Sequence, residues 1–368
     1  MPIYPTSVWA CNSSEEAFAI LNGTLDGYVY QRDGHPNADV FAEKCAQLHE
    51  AERVAVTSSG MAAMALAVLS QLQQGDHLIA SKFLYGRSLQ LLTSETRRYG
   101  VESSVVDTTD LEQVRQAIRK NTRMIAVETM ANPRLQVADI AGLASIADAA
   151  EARLLVDNTF ATPLICQPLT QGAHLVVESV SKIMNGHADV MLGLLAGSAA
   201  LWTRVPLALS AWGLASSPFD CWLAARGMAT MHLRVRQACQ NAAAIAQRLC
   251  QHDRVSHVDY PGLTDHPQHE LAVRQFRDWH GYVLTFHLDG ISGDRFIQAA
   301  KRIAFCPSLG DNATTFSHPR STSHRGLTDA ECAELGIGDG TIRLSCGIES
   351  VEFIAEVLQE TLKNAGNS

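Results

Sequence analysis

Residues 153–190 read RLLVDNTFATPLICQPLTQGAHLVVESVSKIMNGHADV. Two short runs, Leu154-Leu-Val156 and Leu175-Val-Val177, are apolar at every position. Each ends on side chains that can carry chemistry. Asp157-Asn158 follows the first, and Glu178-Ser-Val-Ser-Lys182 follows the second. Continuously apolar strands belong to sheets covered on both faces, which are mostly parallel. Ligands of open α/β sheets collect outside the carboxyl ends of such strands. The stretch therefore predicts an α/β fold with a site where these runs stop.

The pattern extends outward. Further β-rich runs lie at 53–57, 77–80, 103–106 and 124–128, beside those at 153–156 and 174–177. Helical spacing appears between them at 61–73, 111–119 and 140–151. This alternation predicts a large, mostly parallel sheet with helices on both faces. Beyond residue 220 the order changes. A long helical stretch (221–252) precedes possible strands at 282–288 and 341–346, with helices near 293–303 and 350–364, which reads as a smaller α+β domain. Residues 1–32 are rich in Tyr, Asn, Ser and Gly and read as an extended arm. The expected organisation is an arm (1–32), a ligand-binding domain (33–220) and a C-terminal domain (221–368).

Composition narrows the function. The chain has 368 residues, 18% of them charged, and a net charge of −9. A general nucleic-acid surface needs clustered Lys and Arg, so no nucleic-acid partner is expected. The most apolar run, 190–202, is shorter than the roughly 20 residues of a membrane helix, so no membrane role is expected. The N-terminus shows no basic region leading into an apolar stretch, so no signal peptide is read. Nine cysteines are scattered without CxxC spacing. That argues against a disulfide framework or a metal site and for a reducing, cytoplasmic setting.

Six local signals stand out. A carboxylate such as Asp157 at a strand end can hold a protonated pyridine nitrogen. That keeps the ring of pyridoxal 5′-phosphate (PLP) an electron sink; a turn or cap Asp is the commoner reading of such a residue alone. Lys182 follows Ser179 and Ser181, so an amine for a Schiff base and hydroxyls for a phosphate share one short segment. Thr57-Ser-Ser-Gly-Met61 lies between a strand and a helix. Gly60 lets backbone approach an anion there, although plain helix capping reads equally well. Tyr85 before Gly86 can stack on a flat ring, or sit in a core. Tyr30 and Arg32 form a pair, and Arg suits bidentate capture of phosphate or carboxylate. The sixth signal is Arg343, inside a strand; it needs a partner, either a substrate carboxylate or an internal Asp or Glu.

In this order and spacing the chain resembles the Cys/Met-metabolism family of PLP enzymes. That family includes cystathionine γ-synthases and lyases, methionine γ-lyases and O-acylhomoserine sulfhydrylases. The likeness is carried by 156–190 and by Tyr30-Gln-Arg32, Ser58–Met61, Tyr85-Gly86, Glu128–Pro133, Ser308-Leu-Gly, Ser323-His324 and Ile342–Ser345. It implies a fold-type-I, aminotransferase-like large domain. It implies Lys182 as Schiff-base lysine and proton shuttle, Asp157 at the pyridine nitrogen, and Tyr85 stacked on the ring and active in proton transfer. Gly60, Met61, Ser179 and Ser181 would hold the phosphate, and Asn132 would sit near the 3′-oxygen and the substrate. Ser308 and Arg343 would hold the substrate carboxylate. Tyr30 and Arg32 would reach the phosphate of a neighbouring subunit, so the expected assembly is a dimer with shared sites, paired into a tetramer.

The resemblance implies γ-replacement or γ-elimination on sulfur amino acids or O-acylhomoserine. Alternatives are a β-lyase releasing pyruvate and a non-catalytic PLP-binding regulator. Two departures bear on the substrate. The γ-synthase and γ-lyase branch commonly shows Ser-Leu-Gly-Gly-x-Glu-Ser, whereas Ser308-Leu-Gly-Asp-Asn-Ala-Thr-Thr-Phe lacks that Glu, and its Asp311 is more similar to methionine γ-lyases and homoserine sulfhydrylases. Arg87 stands where methionine γ-lyases usually have Cys, and there it would favour a substrate with a second carboxylate.

Overall fold

A computed structural model describes residues 2–367. Seven strands form the large sheet: β1 (Arg53–Thr57), β2 (His77–Ser81), β3 (Glu102–Val106), β4 (Thr122–Glu128), β5 (Arg153–Asp157), β6 (Leu175–Ser179) and β7 (Gly193–Gly197). Their order is β1-β7-β6-β5-β4-β2-β3, and β7 alone runs antiparallel to its neighbours. The mostly parallel α/β sheet expected from the alternation is therefore present.

The apolar runs are continuous because both faces of this sheet are covered. Leu154, Val156 and Val176 pack into one core, with Leu143 and Ile146 of the helix Ile140–Ala149. Their neighbours Leu155, Leu175 and Val177 point the other way, onto Met64 and Leu66 of the helix Gly60–Gln71. Burying each such side chain contributes roughly 1.5–3 kcal/mol.

The second sheet contains β8 (Val255–Asp259), β9 (Val283–Leu288), β10 (Ala304–Phe305), β11 (Thr315–Ser317) and β12 (Thr341–Ser345), in the order β10-β11-β12-β9-β8. Its core joins Leu284, Phe286, Ile342 and Leu344 to the C-terminal helix Val351–Asn367 through Ile354, Val357 and Leu358. The helix Met231–Leu249 links the two bodies. Met231, Val235 and Ala238 enter the first core, whereas Ala242, Ile245 and Leu249 enter the second.

The structure corrects several element expectations. The long helix read over 221–252 is two helices, Pro218–Met228 and Met231–Leu249, separated at Ala229–Thr230. The arm is not wholly extended. It holds the helix Ser14–Leu21, whose N-terminus is capped by the Ser13 hydroxyl accepting from Glu16 N at 3.1 Å. No residue of that helix is buried, and its apolar residues run together at Ala17–Leu21 instead of recurring at helical spacing. Strands β7, β8, β10 and β11 were not read. Of these, β7 is the Gly-bounded run GLLAG, β8 (VSHVD) has polar positions, and β10 and β11 have two and three residues.

Candidate active site

Register sets the floor of the site. Glu128 pairs with Asp157 across β4 and β5, so their carboxyl ends lie side by side. Gly193 at the start of β7 pairs with Ser179 on one side and Thr57 on the other. That brings the turn after β1 against the turn after β6. A Cβ on Gly60 would lie 2.7 Å from Ser179 Cβ, and one on Gly193 would lie 2.2 Å from Ser59 O. Only glycines permit this approach. The turn at 58–61 opens the helix Gly60–Gln71, capped by Ser59 Oγ accepting from Ala62 N at 3.1 Å. The first N–H groups of a helix have no acceptor within it. Those of Gly60 and Met61 therefore form an anion cradle beside Ser179.

These strand ends open into a cavity of about 380 Å³. Ser59, Gly60, Met61, Tyr85, Asn132, Asp157, Ser179, Lys182, Ser308 and Arg343 all line it, the last two from the segments of the second sheet. Lys182 Nζ donates to Ser308 Oγ at 2.9 Å. Burial, and then the Arg343 charge, hold its pKa below the usual lysine value. The lysine is thus biased toward the free amine that nucleophilic and proton-transfer chemistry needs.

Asp157 is held in place by a single residue. Its Oδ1 accepts from Thr159 N at 3.0 Å and Thr159 Oγ at 2.5 Å. The same hydroxyl accepts from Ser179 N at 2.9 Å, tying the carboxylate to the neighbouring strand end. Among the described residues nothing bonds Oδ2, so one carboxylate oxygen stays available in the cavity. Burial pushes the Asp157 carboxyl up and the Thr159 bonds pull it down. Glu128, buried beside it, is pushed well up by burial and then by the Asp157 charge.

Arg343 is 5% exposed and has no carboxylate partner among the described residues. It donates to Asn132 Oδ1 at 2.8 Å and to Ser308 O at 2.7 Å, while its buried Nε has no partner. The internal Asp or Glu weighed from sequence is therefore absent. A buried guanidinium that lines a cavity and has no carboxylate partner is set to receive an anion.

Other expected site residues lie elsewhere. The Ser181 hydroxyl sits between Leu192 N and O, at 3.2 and 3.4 Å, and does not line the cavity. Tyr30 and Arg32 also lie outside it. The Arg32 guanidinium stacks 4.8 Å over the Tyr30 ring and Nε donates to Ser210 Oγ at 3.3 Å. Arg87 lines an adjoining cavity instead. Thr159 and Glu128 were given no role from sequence. The Asp-x-Thr spacing, which favours a local Asx-type turn, was the signal for Thr159. Glu128 Oε1 accepts from Tyr85 N at 2.6 Å and so fixes the Tyr85 turn from below.

The fold and this cavity define an enzyme site for a phosphorylated aldehyde cofactor. The chain belongs to the Cys/Met metabolism PLP-dependent enzyme family, whose model matches residues 1–363. It is 39% identical to an L-methionine gamma-lyase of Porphyromonas gingivalis, over 98% of this chain and 92% of that protein. It is 36% identical to an O-succinylhomoserine sulfhydrylase of Pseudomonas aeruginosa, over 95% and 87%. Among solved structures it is similar to cystathionine gamma synthase from Xanthomonas oryzae pv. oryzae in complex with cystathionine, with a TM-score of 0.92 and 33% identity. That match covers 100% of this chain and 93% of the other. The protein is therefore a PLP-dependent enzyme of fold type I, and the non-catalytic alternative falls away.

The residues present fit the cofactor. The Gly60 cradle that a Cβ would fill suits a phosphate, and the available Asp157 oxygen suits a pyridinium. Lys182, biased toward its free amine, suits an aldehyde. Among the described residues no cluster of His, Cys, Asp or Glu could hold a metal, and none of the helices is long and apolar enough to cross a membrane.

Proposed function

We propose that this enzyme replaces or eliminates the γ-substituent of a sulfur amino acid or an O-acylated homoserine, as an enzyme of methionine and cysteine metabolism. The observation that carries this reading is Lys182 within 2.9 Å of Ser308, in one cavity with an Arg343 that lacks a carboxylate. PLP, when bound, supplies the aldehyde that takes the substrate amine and an electron sink for charge developing at Cα. Asp157 holds the ring nitrogen, and Glu128 keeps the Tyr85 turn in position for the ring to stack. Gly60, Met61 and Ser179 hold the phosphate, while Ser181 fixes the Leu192 backbone behind them. Asn132 sits near the ring oxygen and orients Arg343.

Arg343 and Ser308 grip the substrate carboxylate, which places Cα near Lys182. Lys182 Nζ removes the Cα proton and then moves a proton at Cβ. Tyr85 Oη or Lys182 Nζ protonates the departing sulfur or oxygen. The relatives named γ-lyase, γ-synthase and sulfhydrylase support action at Cγ. The test is which 2-oxo acid the enzyme releases from L-cystathionine. 2-Oxobutyrate is the expected product; pyruvate would establish the β-lyase alternative and overturn γ-chemistry.

The arm 1–32, PLP-binding domain 33–220 and substrate domain 221–368 belong to the same reading, with the helix Met231–Leu249 shared between the last two. Tyr30 and Arg32, remote from their own cavity, serve the phosphate of a second subunit, so the unit is a dimer and two dimers make a tetramer. All nine cysteines are unpaired, which supports a reducing cytoplasm.

A further inference from the structure

A second cavity, of about 340 Å³, adjoins the catalytic one. The two share Tyr85, Asn132 and Ser323 as walls. The helix Gly86–Gln90 bounds it on one side and residues 323–327 on the other. Lys82, Arg87 and Arg325 line it, and no Asp or Glu does.

The three cations differ. Lys82 is met by Asp107 at 3.2 Å and Glu334 at 3.7 Å, so its charge is already answered. Arg87 donates to the side-chain oxygen of Gln90 at 2.7 Å, and Arg325 donates to the Thr322 carbonyl at 2.9 Å. Both acceptors are neutral, and among the described residues neither guanidinium has a carboxylate partner. His324 adds no charge at neutral pH, because burial and then Arg343 hold it at about 4. The concavity therefore carries two unanswered guanidinium forks beside a reactive lysine. Such forks match carboxylate geometry.

A substrate held at its α-carboxylate by Arg343 and at its amine near Lys182 has one end left, the γ-substituent. A methylthio group is small and uncharged and would leave both guanidiniums unpaired. We propose that this cavity is the γ-substituent subsite, and that the preferred substrate carries a γ-substituent ending in a carboxylate, gripped by Arg87 and Arg325. This rests on the γ-chemistry proposed above. Sequence pointed to Arg87 alone. The facing Arg325, the shared walls and the lack of any acidic lining come from the folded chain.

The test uses the holoenzyme with O-succinyl-, O-acetyl- and O-phospho-L-homoserine. Consumption is followed as 2-oxobutyrate, or as the thiol homocysteine formed when hydrogen sulfide displaces the ester group. The expected kcat/KM for the succinyl ester exceeds that for the acetyl ester at least tenfold. Arg87→Gln and Arg325→Gln each lower this ratio at least fivefold, mainly through KM, and Arg87→Lys restores part of it. A ratio near one, or a ratio that neither substitution moves, overturns the subsite while turnover still upholds γ-chemistry. Preference for the phosphate ester overturns the carboxylate assignment. No turnover of any ester, together with none of L-cystathionine to 2-oxobutyrate, overturns the γ-reading itself.

Discussion

At the scale of single residues, the site depends on what burial does to charge. Lys182 and Arg343 share one cavity; burial lowers the pKa of both, and the Arg343 charge further disfavours that of Lys182. Arg343 stays charged because a guanidinium does not lose its proton in proteins. The cost therefore falls on Lys182, which leans toward the free amine. In the proposed mechanism, Lys182→Ala removes both the cofactor anchor and the proton carrier. The expected loss in kcat is at least ~10³-fold, within the span set by a lost general base and nucleophile. Absorbance of the purified protein should show no lysine-bound cofactor. Turnover near the wild-type rate would refute the assignment. The Lys182 and Asp157 positions were legible in sequence because both close apolar runs. The role of Thr159 was not, because its hydroxyl bonds Asp157 locally but reaches Ser179 across the sheet.

At the scale of elements, the anion cradle is a product of close packing between two turns. The turn after β1 and the turn after β6 touch because Gly60 and Gly193 carry no side chain. Gly60→Ala would place a Cβ 2.7 Å from Ser179 Cβ and 3.0 Å from its Cα, so backbone must move. Overpacking of this kind costs about 1–3 kcal/mol. Urea denaturation should register that loss, and equilibrium dialysis should show weaker retention of PLP by the variant. Unchanged values of both would mean that the turn has slack the structure does not show. Helices and strands with a regular apolar pattern were readable, as in β4, β5 and the helix Ile140–Ala149. The break at Ala229–Thr230 was not, since alanine and threonine there carry no stop signal; the chain turns so that the following helix can bridge two cores.

For the whole molecule, one buried cluster ties the second sheet to the turn bearing Asn132. Asp259 at the end of β8 accepts from Arg134 Nε and Nη2, at 3.1 and 3.0 Å, and pairs with His287 Nε2 at 2.8 Å. Burial alone would raise its pKa, but the His287 and Arg134 bonds outweigh it and hold the carboxyl at about 2. An unfolded Asp titrates near 3.9. A depressed folded pKa gives stability that is full above about pH 4 and lost as pH falls toward 2, worth roughly 2 kcal/mol. Asp259→Asn should therefore lower the urea midpoint at pH 7 while narrowing the gap between pH 7 and pH 3. An acid dependence identical to wild type would show that the cluster does not carry the effect. At the same scale, Arg32→Ala should weaken PLP retention although Arg32 lies outside its own chain's cavity. Unchanged affinity in the variant would count against sites shared between subunits.

Sequence by itself determined the fold class, the strand ends that carry Asp157 and Lys182, and the family. The reason is that these features are local: apolar periodicity sets the sheet, and each reactive residue sits where a run stops. Tertiary structure decided what meets across distance. It set Arg343 against Asn132 and Ser308, closed the Ser181 hydroxyl onto Leu192, and placed Arg87 opposite Arg325. Apart from Ser181 and Leu192, which lie on one local stretch, these pairings join segments far apart in the chain, and no local pattern encodes which of them the packed cores bring together.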